Sequence, residues 1–373
     1  MTQLHRPGTA ILDQGPLMGQ WPTFDPFIMC NHHVDNYPAA NSNLGPDAEL
    51  DGRELGADFA DLDGWNMYHG DTVPGFPRHP HRGFETVTYL RAGYVDHSDS
   101  LGATARYGDG DVQWLTAARG IEHAEMFPLL DAAGPNRLEL FQLWLNLPAA
   151  TKLAPPQFKM LWREDIPRVR YAPAITRSPG TVVPRGSTDA GTGTGVITVI
   201  AGHVREFAGT DWAGGSAAPP DPPVASWAAH PKADVAVWHV AVSARGDVRL
   251  PPAVTSGRGL TRTLYVMTSA PFAIDGRPFE EPTFLRVDPS RPITISAAGL
   301  PVEALMLQGR AIREPVAQYG PFVMNSDEEL MAAFADYERG TFGTWPWGDD
   351  APVHAPSRGR FAKHLDGHVE IRP

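Results

Sequence analysis

The sequence predicts an all-β protein made of two successive β units of barrel or sandwich type. Gly and Pro number 37 each, a balance that favours many short strands and turns over long helices. Short β-branched and aromatic runs recur at regular spacing between Gly-containing turns, the pattern of closed β architectures. A second set of such runs lies between and beyond two segments dominated by Gly, Ser, Thr, Ala and Pro. With 373 residues, 42% of them apolar, the chain is long enough for two domains with cores of their own.

Residues 1–70 read as irregular, rich in aromatics and turn formers. The first strong strand signal is Thr86 to Leu90, followed by a turn at Arg91-Ala92-Gly93. A second turn, Gly108 to Asp111, leads into the strand Val112 to Thr116, and Gly120 precedes Ile121 to Met126. Leu138 to Leu147 is mostly apolar with polar interruptions, and its flanking turns favour a strand over a helix. Pro148 to Gln157 reads as a linker, and 177–195 and 209–223 as exposed loops. Further strands are expected at Val196–Ala201, Asp234–Val242, Arg262–Thr268 and Pro292–Ser296. One helix is clear. Ser326 and Glu329 have capping-box spacing, acidic residues fill the first turn, Leu330, Phe334 and Tyr337 form an apolar stripe, and Gly340 can end it. The tail after Trp347 is polar and is expected to be loosely held.

The net charge of −12 opposes binding to DNA or anionic lipid, which attract basic patches. Direct nucleic-acid and membrane partners are therefore not expected; action on DNA through another protein stays open. Cys30 is the single cysteine, so no intrachain disulfide can form, which fits a reducing compartment. The first residues lack a basic start followed by an apolar run, and no stretch approaches the length of a membrane span. The expected location is the cytoplasm.

The chemistry concentrates in Arg78-His79-Pro80-His81-Arg82-Gly83. Two histidines at i and i+2 point to one face of an extended chain and can reach one ion. Forty-two residues after His81 comes a second pair of the same kind, His123-Ala124-Glu125. Three neutral imidazoles and a carboxylate suit a borderline divalent metal and leave positions for water or substrate on a five- or six-coordinate ion. The competing reading is a set of histidines bonded to backbone in a polar barrel mouth. Pro80 cannot donate to a sheet ladder, so its strand is expected at an edge or with an irregularity.

These residues resemble the pirin family, a branch of the cupin superfamily. The resemblance lies in Arg78–Leu90 (RHPHRGFETVTYL), Gly110–Met126 (GDVQWLTAARGIEHAEM), Gln142–Leu147 (QLWLNL), Glu314–Asn325 (EPVAQYGPFVMN) and Asp25-Pro26-Phe27. It implies two tandem cupin (jelly-roll) β-barrels with a short C-terminal helix: a metal-binding barrel over 1–150, a second barrel without metal over 151–325, and helix and tail over 326–373. It also implies iron held by a His-x-His…His-x-Glu pattern, which falls on His79, His81, His123 and Glu125. Manganese, nickel, copper and zinc accept the same donors.

Two functions follow from the resemblance. One is a quercetin 2,3-dioxygenase-like enzyme acting with dioxygen on a flavonol or similar enolisable aromatic, with Glu125 both ligand and base. The other is a non-enzymatic, redox-sensing regulator that binds a protein partner. A composition rich in Ala, Gly, Pro and Arg disfavours a nuclear role and tips the reading to the oxygenase. Candidate pocket walls are Phe24, Phe27, Phe84 and Met126, each of which also suits a plain core. Glu85 shares parity with His79 and His81; on an unbroken strand it would support an imidazole N–H. Glu122, of opposite parity to His123, should point away from the metal, and His97 is assigned to a solvated turn.

Overall fold

Two β units account for the chain, and each is built from two sheets around its own core. The computed structural model describes residues 10–171, 195–205, 216–255 and 257–373. One unit comprises Ile28–Arg163, Pro222–Trp227 and Ile312–Pro373; the other comprises Met1–Phe27, Glu164–Asp221 and Ala228–Ala311. Both are jelly-roll barrels, as expected. Residues 177–194 of the first expected loop and 209–215 of the second lie outside the described residues.

In the first unit a five-stranded sheet runs in the order Gln157–Leu161, Val112–Thr116, Phe84–Ala92, Asn136–Asn146 and Phe27–Tyr37. A six-stranded sheet runs Val369–Ile371, Phe361–Lys363, Thr104–Gly108, Tyr94–Asp99, Ile121–Met126 and Gly75–His81. Strand alternation sends Leu90, Leu115 and Leu140 from one sheet, and Val95, Ala105, Tyr107 and Ile121 from the other, into one buried cluster. The Gly75–His81 strand is the sheet's edge, and its register with Ile121–Met126 slips between Phe76 and His79. An edge with a bulge is where a proline such as Pro80 is tolerated.

In the second unit a seven-stranded sheet contains the expected strands as Gly195–Ala201, Ala236–Val242 and Leu260–Val266. The fourth, Ile293–Ala297, lies in a four-stranded sheet. Ile197, Trp238, Leu264 and Met306 of the larger sheet share a core with Val248, Phe272 and Ile295 of the smaller.

The helix spans Asp327–Glu338, with the Ser326 side chain accepting from Glu329 N at 3.3 Å and Gly340 in the left-handed region at φ +70°. Leu330 and Ala333 bury against Phe322 and Phe342. No helix among the described residues is long and apolar enough to cross a membrane.

Four sequence expectations need correction. Within 1–70 the described residues hold two strands, Ile11–Pro16 and Phe27–Tyr37; in the second, interspersed Asn, His and Asp residues mask the alternation (FIMCNHHVDNY). The units are not divided at 150 and 325, because Ile11–Pro16 pairs with Thr283–Val287 while the helix and tail join the first unit. Pro148 to Gln157 is not a free linker. It contains the turn Ala149–Lys152, and the buried Lys152 Nζ donates to Gly83 O, Asn146 Oδ1 and Val323 O at 2.7, 2.6 and 3.0 Å.

The tail, finally, is tied down. Phe361–Lys363 pairs with Thr104–Gly108. The buried Arg106 guanidinium, 2.7 Å from both Asp96 oxygens, donates to the carbonyls of His354, Ala355 and Arg358. A polar tail that supplies carbonyls to a buried arginine cannot be told from a loose one by composition.

Candidate metal centre

Each histidine pair sits on a strand, and strand pairing brings the two pairs together. His79 and His123 are directly opposite in the antiparallel pairing of Gly75–His81 with Ile121–Met126, so their side chains share one face. The ring centroids of His79, His81 and His123 lie 4.7, 4.4 and 4.9 Å apart in pairs. Their ligand-capable nitrogens all fall within 4.8 Å of one another.

Two glycines make this approach possible. A Cβ on Gly75, at φ +131°, would stand 2.5 Å from Glu125 O. A Cβ on Gly83, at φ +87°, would stand 1.9 Å from Val323 O. Neither position has room for a side chain, and both require a backbone that other residues rarely adopt.

The imidazoles are set up as neutral donors. His79 Nδ1 meets Pro77 O at 2.8 Å, which leaves the Nε2 lone pair facing His81 Nε2 at 3.1 Å. Burial, and to a lesser extent the nearby His69 and His97, hold the His79 pKa down at about 4. Burial and the neighbouring imidazoles hold His81 and His123 well below the usual histidine range. His123 is fully buried, and neither ring nitrogen has a hydrogen-bond partner. A buried polar atom without a partner costs about 1–3 kcal/mol, and an ion accepting the Nε2 lone pair would remove that cost. The residues therefore fit a divalent metal.

Glu125 stands beside this cluster. Its Oε2 lies 4.0 Å from His123 Nε2 and accepts from Gln142 Nε2 at 2.9 Å, while its Oε1 is 3.1 Å from Thr88 Oγ1. Burial raises the Glu125 pKa above the usual carboxylate range, opposed by the charge of His97 and the bonds from Thr88 and Gln142.

The remaining sequence candidates scatter. Phe84 packs on His81 at 5.0 Å between centroids. Met126, of opposite parity to Glu125, turns away into a cluster with Leu44 and Val73. Phe24 belongs to the other unit, where its ring lies 5.1 Å from the Arg286 guanidinium; Phe27 ends the first segment of that unit.

Glu85 does not face the histidines. Its carboxylate accepts from Trp114 Nε1, Thr116 Oγ1 and Ser226 Oγ at 3.0, 2.7 and 2.7 Å. The strand breaks at Arg82-Gly83, which reverses the parity, so Phe84 and Thr88 face inward and Glu85 outward. Glu122 points away as expected and binds Arg78 through both oxygens at 2.9 Å.

Sequence reasoning missed several neighbours. His97 is fully buried, not solvated; it stands opposite Glu125, 5.5 Å from the His123 ring, with Nε2 3.2 Å from Asp99 Oδ2. Its signal was the i, i+2 spacing of His97 and Asp99. Trp144 lies edge-on to His81 at 5.4 Å and 4.2 Å from Phe84. Gln142 and Trp144 are partly exposed, as is His79, so the centre opens on this side. A surface cleft of about 440 Å³, lined by Tyr37, Tyr94, Phe127 and Arg137 among others, contains none of these residues.

Comparison with known proteins adds a family. The pirin family model matches residues 13–145, and the model of the pirin C-terminal cupin domain matches 237–343. A Pseudomonas aeruginosa protein provisionally named a quercetin 2,3-dioxygenase is 35% identical over 72% of this chain and 81% of its own. Human pirin is 31% identical over 75% of this chain and 81% of its own. A crystal structure of quercetin 2,3-dioxygenase from Acinetobacter baumannii matches with a TM-score of 0.60 at 24% identity, over 90% of this chain and 98% of that one, a likeness of fold.

Proposed function

The chain belongs to the pirin family, and from that premise we propose that it is a mononuclear metal oxygenase of quercetin 2,3-dioxygenase type, acting on a flavonol or similar enolisable aromatic. The ligands are His79, His81, His123 and Glu125, and iron is the preferred ion. The observation that carries this reading is the convergence of three neutral imidazoles beside a buried carboxylate. Such a site binds a cation without prior loss of histidine protons at neutral pH.

A bound divalent metal would supply Lewis acidity that makes a coordinated hydroxyl more acidic. The protein's share is positioning and proton transfer. Glu125, whose pKa burial raises, is the base placed to take the hydroxyl proton of the substrate. The partly exposed Trp144, backed by the buried Phe84, offers a flat apolar wall against which an aromatic ring can lie. The deprotonated ring is electron-rich, reacts with dioxygen, and opens with loss of carbon monoxide.

The test is incubation of the iron-reconstituted protein with quercetin in air, following loss of the flavonol absorbance and release of carbon monoxide. Turnover that disappears in His123→Ala and in Glu125→Ala supports the reading. A protein that holds one metal per chain and leaves quercetin intact overturns flavonol cleavage, and pull-downs in both redox states would then test a regulatory partner.

A further inference from the structure

Glu125 is held by a pair of residues outside the His-x-His…His-x-Glu ligand pattern. Thr88 and Gln142 are direct partners in the antiparallel pairing of Phe84–Ala92 with Asn136–Asn146. Thr88 Oγ1 is 2.6 Å from Gln142 Oε1 and 3.1 Å from Glu125 Oε1. Because the Gln142 carbonyl faces the Thr88 hydroxyl, its amide nitrogen must face Glu125, and Nε2 reaches Oε2 at 2.9 Å. The single Thr88 hydroxyl hydrogen is shared between Gln142 Oε1 and Glu125 Oε1, so each carboxylate oxygen has a polar contact, the firmer being the Gln142 Nε2 donation to Oε2. The carboxylate cannot rotate about its terminal bond without breaking one of these contacts.

We infer that Thr88 and Gln142 are positioning residues that hold the Glu125 carboxylate in the orientation from which it meets a metal at His79, His81 and His123. The inference rests on the proposed ligand role of Glu125. Thr88 is buried, so its hydroxyl serves the network and not solvent. Gln142 is one of three polar residues in the otherwise apolar run LELFQLWLNL, and the network accounts for it. Partners of this kind change metal affinity roughly 10–100-fold when removed.

Cobalt(II) is the probe, read by chelator competition and by its visible absorption spectrum, on wild type, Thr88→Val, Thr88→Ser, Gln142→Leu, Glu125→Gln and the double variant Thr88→Val/Glu125→Gln. Thermal unfolding of each metal-free protein checks folding. Thr88→Val and Gln142→Leu are expected to bind cobalt roughly 10–100-fold more weakly and to alter its spectrum, with Thr88→Ser recovering most of the loss. In the Glu125→Gln background Thr88→Val should add nothing, because the group it orients has changed. Wild-type binding by Thr88→Val and Gln142→Leu, while Glu125→Gln binds weakly, overturns the clamp and leaves the ligand role standing. Full additivity in the double variant overturns it too, as the mark of a merely structural residue. Wild-type binding by Glu125→Gln overturns the ligand role itself, and the clamp with it.

Discussion

His79 and His123 face one another across an antiparallel strand pair with ring centroids 4.4 Å apart, although 44 residues separate them in the chain. Strand register, set by a bulge between Phe76 and His79, decides that meeting. The properties of the centre should therefore follow from the fold around it.

Metal should stabilise the folded chain. Saturation at 100 times Kd adds about 2.7 kcal/mol, so iron(II) or cobalt(II) should raise the wild-type Tm. His123→Ala should lose that shift. Its metal-free Tm should change little, because the packing lost with the buried ring is offset by removal of two buried nitrogens without partners. Calorimetry with and without metal measures both.

Gly83→Ala should unfold or loosen the histidine strand. The added Cβ would meet Val323 O at 1.9 Å in a backbone at φ +87°. A loss of about 2–4 kcal/mol is expected, with weaker metal binding, read by denaturant unfolding and metal content.

Lys152→Met should act on the same corner from the other side. Its ammonium serves three oxygens, including Gly83 O. Leaving them unpaired should cost about 2–3 kcal/mol by urea denaturation.

Removal of residues 344–373 should destabilise the histidine barrel severely. Arg106 and Asp96 would lose the carbonyls of His354, Ala355 and Arg358 and the bond from His354 N. Each hydrogen bond lost from these buried charged groups costs about 1.5–3 kcal/mol. The truncated chain should melt far below wild type or fail to fold, by circular dichroism.

Glu85 predicts a pH dependence. Burial raises its pKa from 4.5 to about 7, against the bonds from Thr116, Ser226 and Trp114. The folded state therefore holds a proton that the unfolded state has released between these two values. Its contribution is fully present below pH 4.5 and is lost as pH rises toward 7. The loss is on the order of 3 kcal/mol. Glu85→Gln, uncharged throughout, should remove this slope and match or exceed wild-type stability at pH 8. Urea denaturation of both proteins from pH 4.5 to 8 measures the difference.

By itself the sequence determined the two β units, the capped helix and the two i, i+2 pairs, because strand and helix periodicity are local properties of the chain. It also placed Pro80 at an irregular edge and turned Glu122 outward. Only the tertiary structure decided the rest. Gly83 breaks the strand, so parity counted from His81 assigned Glu85 to the wrong face and overlooked Thr88. Gln142 reaches Glu125 only because their strands, in two different sheets, pack face to face, and it meets Thr88 only through the pairing of strands more than fifty residues apart. The tail's place depends on a buried arginine nearly 250 residues away from the carbonyls it binds. Contacts of that range arise from packing and buried hydrogen bonding, which no local spacing encodes.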